Sequence, residues 1–128
     1  VLFRSVGLTG LFTFFVHVFM PERSAANIGW AVSPFQYEVG IADLTVGVLG
    51  VLAFRRNTGF RSAATVATCC WLLGCAAGHV YQMIVAQNFA PGNAGVWFWT
   101  SPTTSLIVAV TFWISSRRRS EAGGASLH

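Results

Sequence analysis

Five polar side chains interrupt otherwise apolar stretches of this sequence. His79 and Gln82 lie in GCAAGHVYQM, Glu38 and Asp43 lie in YEVGIADLTVGVLG, and His17 lies near the end of an apolar run. Ionisable groups within segments long enough to cross a bilayer are costly, so they usually face a protein interior and mark a site. Because histidine titrates near neutral pH, imidazole and carboxyl groups together could exchange protons with a bound molecule.

The composition is typical of a membrane protein. The chain has 128 residues, of which 54% are hydrophobic and only 9% are charged, the reverse of a soluble protein's balance. This length allows one domain. Eight arginines give a net charge of +4, and six of them form two clusters, Arg55/Arg56/Arg61 and Arg117/Arg118/Arg119, at the ends of apolar segments. This placement is the positive-inside signature, and without interleaved aromatic residues it argues against nucleic-acid binding.

Four apolar segments predict an all-α fold, a four-helix transmembrane bundle. The expected spans are residues 6–20, 35–54, 62–86 and a fourth from about Ala94, with Pro102 as a kink. A start only at Ser101 would leave about 14 residues before the arginines, barely enough to cross. A short interfacial helix over 24–32, with Trp30, is expected between the first two spans. Ser33, followed by Pro34 and Gln36, is the expected cap of the second span.

The expected domain organisation is a membrane domain over 6–116 between two short ends. Residues 1–5, VLFRS, are what the end of a common sequencing adapter encodes, so we expect an artefact there, with the native amino terminus missing. Residues 117–128 are expected to form a disordered basic and polar cytoplasmic tail. With both arginine clusters cytoplasmic, the chain is expected to be multi-pass in the bacterial inner membrane, with both termini in the cytoplasm.

Helical rise places the polar residues at a similar depth. At about 1.5 Å per residue, His17, Glu38, His79 and Gln82 fall in the outer part of the membrane, and Asp43 lies somewhat deeper. We therefore expect them to form an outward-facing polar pocket. Asn88 and Asn93 are interpreted as loop or helix-end residues near this level.

Glycines are expected to define the helix contacts. Gly40, Asp43, Gly47 and Gly50 are spaced by 3, 4 and 3 residues and so form one stripe on the second span,. Such a stripe allows another helix backbone to come close. On the third span Gly74 and Gly78 form a GxxxG pattern with the same expected role. Each glycine face is bordered by ionisable residues.

Structural and functional interpretations of the polar residues stay open. In the structural one, His79 and Glu38 bond each other or a backbone carbonyl, and Asp43 bonds a backbone or threonine partner. In the functional one, the pocket binds a lipophilic small molecule, of quinone type or another kind, and exchanges protons with it. The alternative is a non-catalytic partner subunit that docks onto another membrane protein or onto its own copy.

Metal and catalytic roles have less support. Two histidines and two carboxylates, His17, His79, Glu38 and Asp43, could serve a metal, but no two of them have ligand spacing on one helix. Haem would need His17 and His79 at matched depth on facing helices. The spacing of Cys69, Cys70 and Cys75 fits no zinc pattern, and the sequence contains no GxSxG elbow. A binding or accessory role is expected over autonomous catalysis, and no cofactor is assigned.

Several blocks of the sequence resemble an uncharacterised domain-of-unknown-function family of small bacterial four-helix membrane proteins. The blocks are Ile28-Gly29-Trp30, Ser33-Pro34-Phe35-Gln36, Glu38-Val39-Gly40, Gly78-His79, Gln82 and Asn88 to Gly95. The resemblance covers about residues 6–100 and implies a four-span bundle without implying an activity. A looser similarity to DoxX-like proteins suggests a redox or quinone setting by analogy of fold. The pattern leads us to expect an acidic residue after Thr100, where this chain has Ser101-Pro102.

Overall fold

The computed structural model describes residues 2–125, with side chains from Phe3 to Arg118. Helices account for all the regular structure of this part of the chain, in agreement with the expected all-α class. Four helices are long and two are short. Their bounds are α1 Leu2–Phe19, α2 Pro21–Ile28, α3 Phe35–Ala53, α4 Thr58–Val85, α5 Pro91–Ala94 and α6 Val96–Ala125.

Helices α3 and α4 are long and apolar enough to cross a membrane, with mean hydropathies of 1.3 and 1.5. Helices α1 and α2 pass the same criterion only when taken together, and they are bent by 104° at the break between them. The described residues therefore provide two candidate spans, or three if the bent pair is one span. The chain is thus consistent with a membrane protein.

The four long helices share one core. Val6 on α1, Val46 on α3 and Val108 on α6 are buried together, and Trp71 on α4 packs against them. One apolar side chain from each long helix therefore meets the others at the centre of the fold.

Helices α1 and α3 are in backbone contact along the glycine stripe. A Cβ on Gly47 would lie 2.8 Å from the Leu11 nitrogen, and one on Gly50 would lie 2.7 Å from the Gly7 nitrogen. Such distances leave no room for any side chain. Gly10 on α1 faces Gly47 in the same way, so small residues from both helices form the contact.

Gly74 and Gly78 have different surroundings. Both are exposed, and a Cβ at either would meet nothing within 4 Å among the described residues. Within the described part of the chain, the GxxxG pattern of α4 therefore makes no helix contact.

Two helix starts differ from expectation. Ser33 makes no side-chain cap, because the Gln36 N–H bonds the Ser33 carbonyl (3.1 Å) and Pro34 is already helical. Helix α4 begins at Thr58, where Asn57 Oδ1 accepts from the Phe60 N–H at 2.9 Å. An asparagine cap explains the early start, since it satisfies an otherwise free amide of the first turn.

Helix α2 lies nearer the amino terminus than the expected 24–32. Pro21 occupies its first turn, where a fixed φ and a missing N–H are tolerated,. Gly29 ends it with φ +77°, a left-handed conformation that favours glycine,. Trp30 therefore follows the helix instead of lying in it.

Helix α6 begins at Val96 and contains Pro102, which agrees with the earlier of the two expected starts. It continues to Ala125, into the segment for which the composition predicts disorder. The last three residues of that segment lie outside the part of the chain described. Helix α1 begins at Leu2 and so includes most of VLFRS, whose adapter origin stays a prediction.

Candidate functional site

The polar residues form two clusters. The first, called the His17 cluster, joins α1, α2, α3 and α4. The second, called the His79 cluster, joins α4 and α5 with the loop between them and with the segment that follows α2. The members of the first are His17, Ser24, Gln36, Asp43 and Trp71, and those of the second are Trp30, His79, Asn88 and Asn93.

One imidazole nitrogen of His17 is held by two neighbours. Its Nδ1 lies 3.1 Å from Gln36 Oε1 and 3.1 Å from Ser24 Oγ. The Gln36 amide nitrogen donates to the Pro21 carbonyl at 3.5 Å, which turns Oε1 toward His17. An amide oxygen can only accept, so this arrangement assigns the imidazole hydrogen to Nδ1. In that tautomer Nε2 is the acceptor nitrogen of the neutral ring.

The free nitrogen of His17 faces a carboxylate. His17 Nε2 lies 4.0 Å from Asp43 Oδ2, with side-chain exposures of 16% and 12% respectively. This distance is too long for a direct hydrogen bond and suits an ion pair when the imidazole is protonated. Both side chains retain a small accessible surface.

The other oxygen of Asp43 is occupied. Trp71 Nε1 donates to Asp43 Oδ1 at 2.8 Å, a bond from α4 to α3. The indole has one donor and no acceptor, so it fixes the carboxylate with Oδ2 turned toward His17. Asp43 thus has Trp71 as a partner that the sequence did not predict, in addition to a side-chain hydrogen bond with Thr13, a partner of the expected kind.

Gln36 is a member that sequence reasoning missed. It was expected to act locally, in the first turn of the second span. Instead its buried side chain reaches α1 and α2. The available signal was its place four residues before Gly40, the first residue of the glycine stripe, which puts Gln36 on the same helix face.

The His79 cluster centres on a buried amide. Asn93 is fully buried and its Oδ1 lies 2.7 Å from His79 Nδ1. Its Nδ2 donates to the Asn88 carbonyl at 2.8 Å and to the His79 carbonyl at 3.3 Å. The Trp30 ring stacks on the imidazole, with centroids 5.8 Å apart. His79 is thus bonded to Asn93, and the expected bond to Glu38 is absent from the described structure.

Asn88 extends the cluster to the segment that follows α2. Its Nδ2 donates to the Ile28 carbonyl at 2.9 Å, and its Oδ1 accepts from the Ala90 N–H at 3.1 Å. The interpretation of Asn88 and Asn93 as loop or helix-end residues was right about their positions. Both side chains also hold segments of the chain together.

Glu38 and Gln82 lie apart from the clusters. Glu38 is exposed, and neither side chain has a hydrogen-bond partner within residues 3–118. The structure thus brings together His17 and Asp43 and places His79 in a separate network. In the same range, no three His, Cys, Asp or Glu side chains come close enough to hold a metal ion.

Comparison with known proteins gives a family and no characterised relative. No protein with curated annotation and no solved structure matches the chain. The looser similarity to DoxX-like proteins has no support in these comparisons. Over residues 1–121 the sequence matches DUF6790, whose description is a family of unknown function. Membership in an uncharacterised family, expected from the sequence blocks, is confirmed. Since the match extends over nearly the whole chain, the protein belongs to DUF6790.

Proposed function

We propose that this protein is a four-span protein of the bacterial cytoplasmic membrane and that its His17 cluster binds a lipophilic small molecule of quinone type. Binding, not autonomous turnover, is the proposed role. The observation that carries the proposal is the distance of 4.0 Å between His17 Nε2 and Asp43 Oδ2, on two side chains that each retain a small accessible surface.

Exposed apolar side chains support the four-span arrangement. Each long helix carries large ones, for example Phe12 on α1, Val51 on α3, Ile84 on α4 and Leu106 on α6, with exposures between 47% and 68%. So much exposed apolar surface around a whole fold is unfavourable in water and is favourable in the hydrocarbon of a membrane. One arginine cluster lies around the turn between α3 and α4 and the other in the carboxyl-terminal part of α6. This placement favours a cytoplasmic position for both termini.

The geometry of the gap suits an oxygen that both donates and accepts. An atom about 2.8 Å from Nε2 and from Oδ2 at once is possible, because the two are less than twice that distance apart,. A quinol hydroxyl could donate to Asp43 Oδ2 while accepting from a protonated Nε2. The apolar surroundings would hold the rest of such a ligand, and histidine would allow proton exchange near neutral pH.

The binding test compares two carboxylates of the same helix. Mass spectrometry of the purified protein should show a co-purifying lipophilic species that Asp43→Asn loses. Glu38→Gln is the matched control, since Glu38 is exposed and unpartnered among the described residues, and it should retain the species. Retention by Asp43→Asn, or loss from Glu38→Gln alone, would contradict the proposed site.

A labelling test checks the orientation. Single cysteines in a background lacking Cys69, Cys70 and Cys75 would be treated in whole cells with a membrane-impermeant reagent. A cysteine at Asn57 should stay unlabelled and one at Gln87 should react. Labelling at Asn57 from outside would reverse the proposed topology.

A second candidate role is that of a non-catalytic partner subunit. The observation that favours it is the exposed pair Gly74 and Gly78, which has nothing within 4 Å among the described residues. Gly74→Leu should release a co-purifying membrane partner or a second copy, and Val66→Leu, at another exposed position of α4, should not. An unchanged set of co-purifying proteins in Gly74→Leu would dismiss this role.

A further inference from the structure

A cavity at the far end of α3 has a different character from the polar clusters. Its volume is about 470 Å³, and it is lined by Arg4, Val51, Leu52, Phe54, Arg55 and Arg56. From Asp43 to the end of α3 at Ala53 the helix rises about 15 Å, so the cavity is remote from the His17 cluster,. Three arginines and three apolar residues line one open concavity.

The positive charge of this cavity is not neutralised by a neighbouring acid. No carboxylate is among its lining residues, and within residues 3–118 no ion pair involves these guanidinium groups. Like charges gathered in one concavity attract an anion from outside.

Two of the guanidinium groups are positioned by aromatic rings. The Cζ atom of Arg4 lies 5.1 Å from the centroid of the Phe54 ring, and that of Arg56 lies 6.0 Å from the Phe60 ring. A guanidinium held over an aromatic ring can still donate from its N–H groups to another partner. These planar forks match the oxygens of a phosphoryl group and can bind it in a bidentate way.

A fourth arginine, Arg61, binds carbonyl groups at the negative end of the α3 helix dipole, which would otherwise disfavour an anion nearby,. Arg61 Nε donates to the Ala53 carbonyl at 3.0 Å, and its Nη2 donates to the Phe54 carbonyl at 3.0 Å. These are carbonyls at the carboxyl end of α3, where the helix dipole is negative. With them satisfied, the rim of the cavity is free to accept an anion.

We propose that this cavity is a binding site for a phosphoryl anion, carried by the headgroup of an anionic phospholipid or present as free phosphate. Basic pockets between helices at the cytoplasmic side suit acidic lipid headgroups, and Val51 and Leu52 offer apolar surface to the adjoining acyl chain. Arg4 belongs to the segment for which the sequence predicts an adapter origin, so Arg55 and Arg56 carry the test.

The experiment measures lipid binding to the purified full chain by native mass spectrometry. The probes are dioctanoyl phosphatidylglycerol, dioctanoyl phosphatidylcholine and inorganic phosphate. The double variant Arg55→Gln/Arg56→Gln is compared with Arg117→Gln/Arg118→Gln, which removes the same charge from the other arginine cluster. Arg55→Lys/Arg56→Lys, which retains charge and loses the planar fork, is the conservative variant.

Wild type should bind phosphatidylglycerol more tightly than phosphatidylcholine. Each arginine contributes about fivefold, so Arg55→Gln/Arg56→Gln should weaken phosphatidylglycerol binding about 25-fold, with less than half of that loss in the lysine variant. The control double variant should change binding less than threefold. Displacement of the lipid by inorganic phosphate at comparable concentration would support the site and assign it to free phosphate.

Two results would overturn the proposal. Equal loss in both glutamine double variants would show that binding follows overall charge and not the cavity. Equal affinity of wild type for the two lipids, together with no displacement by inorganic phosphate, would show that neither an anionic headgroup nor free phosphate is selected. Thermal unfolding of each variant separates loss of the site from loss of the fold.

Discussion

His79 Nδ1 and Asn93 Oδ1 lie 2.7 Å apart, and the asparagine side chain that makes this bond is fully buried. The same side chain donates to the carbonyls of Asn88 and His79 itself. One amide thus joins the carboxyl-terminal part of α4 to the segment before α6.

Asn93→Ala should lower the stability of the protein. It removes three hydrogen bonds and leaves buried polar groups unpaired, at an expected cost of about 2–4 kcal/mol in the free energy of unfolding. Gln82→Ala is the control, because the Gln82 side chain has no polar partner within residues 3–118. Thermal unfolding in detergent measures both. An Asn93→Ala protein as stable as wild type would show that the network is maintained for another purpose.

Gly47→Ala should lower the free energy of unfolding, whereas Gly74→Ala should leave it unchanged or raise it. A methyl group at Gly47 would lie 2.8 Å from the Leu11 nitrogen, so α1 and α3 must separate, at an expected cost of about 1–3 kcal/mol,. At Gly74 the space is open, and alanine's helix propensity should leave stability unchanged or raise it by up to about 1 kcal/mol,. Unfolding curves recorded side by side test the pair. Destabilisation by Gly74→Ala would instead reveal a partner on that face.

Trp71→Phe should weaken the His17 cluster while it retains an aromatic ring in the core. The change removes the 2.8 Å bond to Asp43 Oδ1, and the loss of a donor to a carboxylate should cost about 1–3 kcal/mol,. Trp99→Phe, at a 64% exposed position, is the control. The measurement is again the free energy of unfolding, now together with retention of the co-purifying ligand. Equal losses of stability and of ligand in the two variants would show that the bond from Trp71 to Asp43 does not stabilise the His17 cluster.

Gly29→Ala should be destabilising for a conformational reason. Gly29 has φ +77°, and an added Cβ would lie 2.7 Å from Asn88 Oδ1. A left-handed conformation costs a residue with a side chain about 1–2 kcal/mol, and the contact would also disturb Asn88. Gly59→Ala is a matched control, because its nearest contact would be an ordinary 3.6 Å. Melting temperatures that fall equally in both variants would refute this explanation.

The helix positions were accessible from the sequence because apolar runs and their breakers are local features. Helices α3 and α4 lie within a few residues of the expected second and third spans. The glycine stripe was also readable, since a spacing of 3 and 4 residues defines a helix face. Its partner, Gly7 and Gly10 on α1, was not recognised, because which two faces meet is decided by tertiary packing.

The composition of the site was harder to predict because depth alone was used to group its members. Glu38 and His79 were expected to meet at the same level. However, Glu38 is five residues before Asp43, which places it about 140° around the helix from the buried stripe. If the position of Glu38 around the helix axis is considered together with its depth, the side chain is predicted to face outward. The pairing of His79 with Asn93 depends on a loop conformation that no sequence period encodes.

The tight contact between α1 and α3 has a consequence for the order in which the protein is assembled. The glycine contacts between these helices are supplied by residues 3–51, and His17, Ser24 and Gln36 belong to the same amino-terminal stretch. During synthesis this helix pair can therefore form before α4 has left the ribosome. Trp71 reaches Asp43 only afterwards, so completion of the His17 cluster would mark the docking of the second half of the chain onto a first half already formed.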